Sequence, residues 1–285
     1  MLTILAPAKL NLTLEVKAKR DDGFHEIRSV IQTISLVDRL TFEPGETLEI
    51  KSASSGWLAE ESLVSRTAAL LRQVTGCSNG ATITVSKQIP LLAGLGGDSS
   101  DAGATLRGLN QLWELGLSRE ELLKLAVQLG SDVSFFLYGG TARLEGRGER
   151  VTPLPALTHR WVVLALPPVA RLPGKTKQLY ESLTTNHFTD GWITEKLVEV
   201  IKGGGQFIDS FLFNTFENVA FTHFSSLDVS RSHMLKMGAS HIHLAGTGPA
   251  LFTLIADKAR AEDLYTHLKQ QNLEPYLAET LAEVI

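Results

Sequence analysis

The sequence predicts an α+β fold with two lobes and a cleft between them. Strand-like alternation dominates the first fifty residues, and helical and strand-like segments interleave through the rest. A short apolar run at 161–166 then starts a second series of elements. Helices and strands that alternate in this way bury their apolar faces against one another as layers. We therefore place a lobe boundary near residue 157, which gives lobes of residues 1–157 and 158–285.

Strands are predicted throughout the N-terminal segment. Polar and apolar residues alternate over the eight positions of 9–16, which is typical of a strand with one buried face. A turn cluster follows at 20–23. Two more strands are predicted at 25–36, which is rich in β-branched residues, and at 47–51, which alternates again.

Helices and strands alternate from there to the lobe boundary. Ser118 and Glu121 form a capping box, which predicts the start of a helix. The predicted elements are a helix at 60–74, a strand at 81–89, helices ending near residues 115 and 129, and strands around turns at 133–144 and 150–154.

The second lobe is predicted to begin with a buried strand at 161–166, which a pair of prolines closes. Helical spacing and strand-like runs then alternate to the end of the chain. The predicted elements are helices at 175–183, 192–201, 214–221, 227–237 and 258–270, a strand-turn-strand unit at 241–255, and a last strand at 276–278.

The composition is that of a soluble globular protein. Of 285 residues 44% are hydrophobic and 20% are charged, and the net charge of −4 implies no polyanion-binding surface overall. Lys17, Lys19 and Arg20 could form a local basic patch or a solvated hairpin edge. We expect a protein without nucleic-acid or membrane partners, either monomeric or a homodimer.

The sequence also favours a cytoplasmic location. Cys77 is the single cysteine, so no intramolecular disulfide can form, which fits a reducing compartment. The N-terminus shows no signal-peptide or transit-peptide pattern, and we find no apolar stretch long enough to span a membrane.

A glycine-rich stretch at 90–100 opens a predicted helix directly after a strand. Its glycines allow a close approach of the backbone to a ligand, and a helix N-terminus presents free N–H groups to phosphates. Ser99 and Ser100 add hydroxyls for phosphate oxygens or Mg²⁺. The stretch therefore indicates a nucleotide site, although a purely geometric strand-to-helix turn would have a similar composition.

Two familiar phosphate-binding motifs do not fit the chain. Ser99 stands where the dinucleotide fingerprint needs its third glycine. Gly174, Lys175 and Thr176 look like the end of a P-loop, but Val169 occupies the position of that motif's first glycine. The 90–100 stretch is therefore a different kind of phosphate cradle.

Four polar residues could carry chemistry, and each has a plainer interpretation. Lys9 could be a solvated lysine on a strand edge, and Asp132 a cap or turn aspartate. Asn11 could lie on the open face of its strand, and His25 could be an ordinary half-buried histidine.

Two histidines raise the question of a metal. His241 and His243 would share one strand face, so a metal pair is conceivable. The sequence places no third or fourth ligand near them, so these residues do not favour a metal site. The small residues at 246–249 between the two strands could form a plain turn or admit a ligand.

Three segments together resemble the GHMP kinase superfamily: 7–12, 90–100 and 244–252. Their order and spacing match from end to end, so the resemblance covers essentially the whole chain. It implies an N-terminal lobe similar to ribosomal protein S5, with a left-handed crossover, and a ferredoxin-like C-terminal lobe. The active site would lie between the lobes.

Four further segments, 20–27, 129–133, 176–180 and 214–218, are similar to one branch of that superfamily. Members of this branch phosphorylate a cytidyl diphosphate sugar alcohol in non-mevalonate isoprenoid biosynthesis. The resemblance implies transfer of a phosphoryl group from ATP to the C2 hydroxyl of the methylerythritol moiety.

The resemblance also implies roles for residues of the transfer site. Asp132 matches the catalytic base and Lys9 its partner. Mg²⁺ is expected on the ATP phosphates, near Ser99 or Ser100. The residues implied around ATP are Pro90, Leu91, Leu92, Ala93, Gly94, Leu95, Gly96, Gly97, Asp98, Ser99 and Ser100.

The acceptor substrate has its own implied residues. Phe24 and Tyr180 match aromatic residues that sandwich the cytosine, and His25 matches the residue that reads the edge of the base. Asn11 and Thr176 match polar contacts. Two aromatic faces suit a planar pyrimidine.

The chain departs from the family pattern at three positions. Asp98 replaces the third glycine of the loop, which is unfavourable beside phosphates unless the carboxylate points away or helps to hold Mg²⁺. Gly103 replaces a usual alanine, and Ser62 stands where an asparagine near the adenine is common.

Two other functions remain open to the sequence. A GHMP kinase for mevalonate or homoserine would not need Tyr180 or the aromatic segment at 24–25, because those substrates offer no base to stack. A nucleotide-binding protein without catalysis would not need both Lys9 and Asp132.

Overall fold

The computed structural model describes residues 1–169, 174–271 and 273–283, and within these ranges it contains two separate β-sheets. Strands β1 to β6 and helices α1 to α3 come first along the chain. Their bounds are β1 Leu2–Lys19, β2 His25–Gly45, β3 Leu48–Ser52, α1 Leu63–Thr75, β4 Gly80–Ser86, α2 Gly97–Leu112, α3 Arg119–Leu129, β5 Thr141–Gly146 and β6 Arg150–Pro153.

The remaining elements follow from residue 161 onwards. Their bounds are β7 Trp161–Leu166, α4 Lys175–Glu181, α5 Trp192–Lys202, β8 Phe213–Asn214, α6 Glu217–His223, α7 Ser225–Lys236, β9 His243–Leu244, β10 Leu251–Ile255, α8 Lys258–Gln270 and β11 Glu274–Glu279. No helix in the described ranges is both long enough and apolar enough to cross a membrane.

The first sheet is built on the long antiparallel hairpin of β1 and β2. The C-terminal part of β2 also pairs with β4, and its N-terminal part pairs with β5. β3 runs parallel to β4, and α1 connects the two strands. The short β8, from the second half of the chain, runs parallel to β1 at residues 13–14. The two halves of the chain are therefore joined by strand pairing.

The second sheet has the order β11-β7-β10-β9 and is antiparallel throughout. One face, including Val162 and Leu164, packs in a core with Leu10 and Leu12 of β1. The other face, including Val163, packs in a core with residues of α8. Burial on both faces explains why the sequence of β7 is continuously apolar.

Most of the predicted elements are confirmed. The helix at 258–270 has the predicted bounds, the strand at 161–166 is buried, and the capping box of Ser118 and Glu121 begins α3. The helix expected from residue 214 begins instead at Glu217, because Asn214 belongs to β8.

Two predictions about strands are wrong. Residues 133–137 are not extended: a short 3₁₀ helix spans Phe135–Leu137, and the strand starts only at Thr141. Strand β1 is also not half-buried, because its polar residues Lys9, Asn11, Thr13 and Glu15 are as buried as its apolar ones. This strand lies inside the sheet between β2 and β8, and both of its faces are covered.

Candidate active site

Lys9 and Asp132 face each other although they are far apart in sequence. Lys9 Nζ lies 3.7 Å from Asp132 Oδ2, and the two side chains are 6% and 33% exposed. The lysine comes from β1, which lies between β2 and β8, and the aspartate from the turn after α3. The lysine is therefore desolvated while its carboxylate partner remains open to a ligand.

The surroundings of Lys9 pull its pKa in two directions. Burial lowers the pKa, whereas the negative charge of Asp132 raises it, and the net direction is downward. Nζ also donates to Asn11 Oδ1 at 2.7 Å, and Asn11 Nδ2 donates to Ser29 Oγ at 2.9 Å. This chain of hydrogen bonds fixes the orientation of the ammonium group.

The glycine-rich loop packs directly against Lys9. Gly94 and Gly96 have φ values of +85° and +73°, which favour glycine. A Cβ on Gly96 would lie 2.9 Å from Lys9 Cγ, and the backbone N–H of Lys9 donates to the carbonyl of Leu95 at 2.9 Å. Side chains at these glycines would push the loop away from the lysine.

The turn at 245–249 closes the other side of the loop. A Cβ on Gly94 would lie 2.0 Å from the carbonyl oxygen of Ala245, and one on Gly246 would lie 3.1 Å from Lys9 Nζ. Ala250 N–H donates to the carbonyl of Ala93 at 3.2 Å. The structure thus brings together the three sequence segments 7–12, 90–100 and 244–252.

A cavity of about 190 Å³ opens along the loop. The lining includes ten of the eleven residues predicted around ATP, from Pro90 to Ser99, together with Lys87. Ser100 is different: it is buried, and its hydroxyl has no hydrogen-bond partner among the described residues. Of the two serines predicted near Mg²⁺, Ser99 therefore faces the cavity and Ser100 does not line it.

Sequence reasoning missed a buried ionic cluster beneath the loop. Lys87 Nζ lies 2.6 Å from Asp38 Oδ2 and 2.7 Å from Asp101 Oδ2. Burial opposes the charge of Lys87, but the two carboxylates outweigh it and raise its pKa, whereas burial raises the pKa of Asp101. The sequence signal for this cluster was a lysine just before the glycine-rich stretch and an aspartate just after it, Lys87 and Asp101.

Two of the three departures from the family pattern have structural explanations. Asp98 is 51% exposed, and its Oδ1 lies 3.8 Å from Lys87 Nζ, which two closer carboxylates already contact. A Cβ on Gly103 would lie 2.9 Å from Phe136 Cβ, so alanine would be crowded there. The hydroxyl of Ser62 caps α1, accepting from Ser65 N–H and donating to the carbonyl of Ala59.

The predicted cytosine-binding residues lie at the ends of β2 and α4. His25 and Tyr180 stack with ring centroids 4.9 Å apart, and Phe216 meets Tyr180 edge-on at 4.7 Å. Burial and then the negative charge of Asp132 raise the pKa of the Tyr180 phenol. Phe24 is exposed, and the guanidinium of Arg147 lies 4.6 Å from its ring centroid.

Helix α4 also carries Thr176 to the turn at 245–249. Thr176 Oγ1 lies 3.0 Å from Thr247 Oγ1. The preceding Lys175 is buried, and its ammonium donates to the carbonyls of Gly248 and Leu92. Since the P-loop interpretation failed, the sequence offered no reason to single out Lys175.

The histidine pair does not share a strand face. His243 lies in β9 and its Nδ1 is 3.0 Å from Glu217 Oε1, whereas His241 precedes the strand with a φ of +49°. In the part of the chain that the structure describes, no group of three or more His, Cys, Asp or Glu residues could hold a metal ion.

Comparison with known proteins identifies the class first. Residues 62–140 match the family model described as GHMP kinases N terminal domain, and residues 197–274 match the one described as GHMP kinases C terminal. A crystal structure of homoserine kinase from Cytophaga hutchinsonii has a TM-score of 0.78 and 18% identity, and the match covers 99% of this chain and 95% of that one. At that identity it shows a common fold only.

Two more similar proteins indicate the family within this class. A 4-diphosphocytidyl-2-C-methyl-D-erythritol kinase of Dehalococcoides mccartyi is 51% identical over 281 residues, 99% of each chain. A crystal structure of 4-(cytidine 5'-diphospho)-2C-methyl-D-erythritol kinase has a TM-score of 0.83 and 32% identity, covering 98% of this chain and 99% of that one. This chain belongs to the GHMP kinases, in the family of the 4-diphosphocytidyl-2-C-methyl-D-erythritol kinases.

The close packing of Gly94 leads to a first prediction. Gly94→Ala should lower the free energy of unfolding by about 1–3 kcal/mol and raise the KM for ATP several-fold, because the new methyl group meets the Ala245 carbonyl. Gly204→Ala is the matched control: its φ is +66°, but a Cβ there meets no atom of the described residues within 4 Å. Chemical denaturation and steady-state kinetics measure both effects. Equal destabilisation of the two variants with an unchanged KM would contradict the role of this contact.

Proposed function

We propose that the protein transfers the γ-phosphoryl group of ATP to the C2 hydroxyl of 4-diphosphocytidyl-2-C-methyl-D-erythritol. The observation that carries this proposal is the pairing of Lys9 and Asp132 against the glycine-rich loop. Phosphoryl transfer depends on positioning and on charge stabilisation, and this arrangement supplies both. The full-length similarity to kinases named for that substrate supports the same acceptor.

In the proposed reaction Asp132 accepts the proton of the C2 hydroxyl. The hydroxyl oxygen then forms a bond to the γ-phosphorus, the bond from that phosphorus to the β,γ-bridging oxygen breaks, and ADP leaves. Lys9 lies beside Asp132 and offsets negative charge near the γ-phosphate. Asn11 holds the lysine in this orientation through its hydrogen bond.

The loop and the start of α2 would hold the ATP phosphates. Gly94, Gly96 and Gly97 are positions where a Cβ would meet neighbouring atoms, so only a bare backbone leaves this cradle open. Backbone N–H groups at the helix N-terminus suit phosphate oxygens.

Mg²⁺ is proposed as the metal cofactor. The ion prefers oxygen ligands and binds largely through substrate phosphates and water, so a single protein hydroxyl such as that of Ser99 fits the donor set. When bound with ATP it would neutralise phosphate charge during transfer. Ser100 is the less suitable donor of the two because it is buried and does not line the cavity.

The cytidyl group would bind between Phe24 and Tyr180. In the structure His25 stacks on Tyr180, so the base would take the place of the imidazole ring while His25 turns to the base's edge. Burial and then Lys19 lower the pKa of His25, which favours a neutral ring that can both donate and accept hydrogen bonds. Thr176 would supply a polar contact from the start of α4.

We also propose a cytoplasmic enzyme, monomeric or homodimeric, that binds small molecules and not nucleic acid. The small net charge of −4 and the single cysteine support this view.

The division into lobes at residue 157 is likewise proposed. It falls between β6 and β7 and between the two segments that match family models.

The function is tested by measuring ATP consumption with the cytidyl substrate, mevalonate and homoserine in parallel, with Mg²⁺ present. We expect turnover on the cytidyl substrate alone. Turnover on another alcohol instead would contradict the acceptor while leaving the pair of Lys9 and Asp132 in place. ATP binding without turnover on any of the three would favour a non-catalytic binder.

The role of Asp132 gives a second prediction. Asp132→Asn should lower kcat by about 10²- to 10⁴-fold, because the amide cannot accept the hydroxyl proton. The dissociation constant for ATP, measured by titration calorimetry, should stay nearly unchanged. Asp263→Asn, which alters a 72% exposed carboxylate on α8, is the control and should keep full activity. Retention of full turnover in Asp132→Asn would refute the assignment of the base.

The stacking role of Tyr180 gives a third prediction. Tyr180→Ala should raise the KM for the cytidyl substrate by about tenfold, since loss of an aromatic stack costs roughly 0.5–1.5 kcal/mol beyond the buried area. Tyr180→Phe keeps the ring and should leave that KM nearly unchanged. Initial-rate kinetics at saturating ATP test both variants. A normal KM in Tyr180→Ala would rule out the stacking role.

A further inference from the structure

Lys175 is buried at the start of helix α4, where the next three residues are exposed. Its relative exposure is 6%, whereas Thr176, Lys177 and Gln178 are all exposed. Helix α4 has seven residues, and Gly174 precedes it with a φ of +79°. The chain therefore turns at this glycine and directs the lysine inward at the first helical position.

The contacts of Lys175 are backbone carbonyls. Its Nζ donates to the carbonyl oxygen of Gly248 and, at 3.5 Å, to that of Leu92. No carboxylate in the described parts of the chain forms an ion pair with it. Burying an ammonium group without a counter-charge is costly, and methionine would fill similar space without that cost. Packing alone does not explain a lysine here.

The two carbonyls belong to the parts of the site that must be aligned. Leu92 lies in the glycine-rich loop, and Gly248 lies in the turn that packs against Gly94. Helix α4 itself carries Thr176 and Tyr180 of the proposed acceptor pocket. Lys175 thus joins the acceptor side and the nucleotide side of the site through one ammonium group.

We propose that Lys175 is a positioning residue for phosphoryl transfer, tying α4 to the glycine-rich loop and to the 245–249 turn. This inference rests on the proposed function. By holding these three segments together, the ammonium keeps the acceptor hydroxyl in line with the nucleotide. Misalignment of reacting groups by a fraction of an ångström to one ångström costs rate steeply.

The tether, meaning the hydrogen bonds from Lys175 Nζ to the carbonyls of Leu92 and Gly248, should weaken as pH rises. Burial lowers the pKa of Lys175 to about 8. Neither the loop at 90–97 nor the turn at 245–249 contains a titratable side chain. Among the groups around them, Asp98 faces Lys87, Lys9 faces Asp132, and on α4 Lys177 pairs with Glu181. Below pH 8 the ammonium donates charge-assisted hydrogen bonds, and above pH 8 the neutral amine donates weaker ones.

The test compares Lys175→Met with Lys177→Met, which removes an 81% exposed lysine from the same helix. At pH 7 we expect Lys175→Met to lower kcat by about tenfold and to weaken ATP binding several-fold, without a lower Tm. Lys177→Met should match the wild type. The wild-type to Lys175→Met ratio, for both kcat and ATP affinity, should fall as pH rises from 7 to 9.5.

Each other result overturns the proposal. Unchanged kcat and ATP affinity in Lys175→Met would show that no tether is needed. A loss that stays constant from pH 7 to 9.5 would indicate packing alone, and Lys175→Gln repeats the comparison if the methionine variant is unstable. ATP affinity is measured without an acceptor, so this readout holds even if the wild type fails to phosphorylate the cytidyl substrate.

Discussion

The buried ammonium of Lys9, on strand β1 of the first sheet, sets the main constraint on this molecule. A buried charge needs a partner and hydrogen-bond acceptors, and here Asp132 and Asn11 supply them. Asp132 comes from a turn after α3, so that turn must lie over β1. The same residues that satisfy the charge also form the proposed transfer site, so stability and chemistry depend on one arrangement.

The glycine-rich loop is shaped by its neighbours as much as by its own sequence. Lys9 packs on one side of it and the 245–249 turn on the other, at distances that leave no room for a Cβ at Gly94. Beneath it, Lys87 joins Asp38 and Asp101 in a buried cluster. The loop is therefore held from both halves of the chain, which suits a site that must bring two substrates together.

Local patterns in the sequence predicted the fold well where burial follows a simple period. The helix at α8 and the buried strand β7 were confirmed, because apolar spacing and continuous apolar character depend on nearby residues alone. The apolar run at 133–137 misled, since a short buried segment has the same composition as a strand or as a 3₁₀ turn. The polar residues of β1 led to a wrong prediction of a half-exposed strand for a different reason. They are buried by segments that are distant in the sequence.

By itself the sequence determined the α+β class, most of the elements and, through its resemblance to a family, the candidates Lys9 and Asp132. Only the tertiary structure decided that these two side chains meet, that Ser100 is buried and does not line the cavity, and that Lys175 turns inward to two carbonyls. The physical reason is the range of the interactions. Periodicity and capping act within a few residues, whereas the contacts of Lys9 and Lys175 join positions 73 to 123 residues apart, and their meeting depends on tertiary packing.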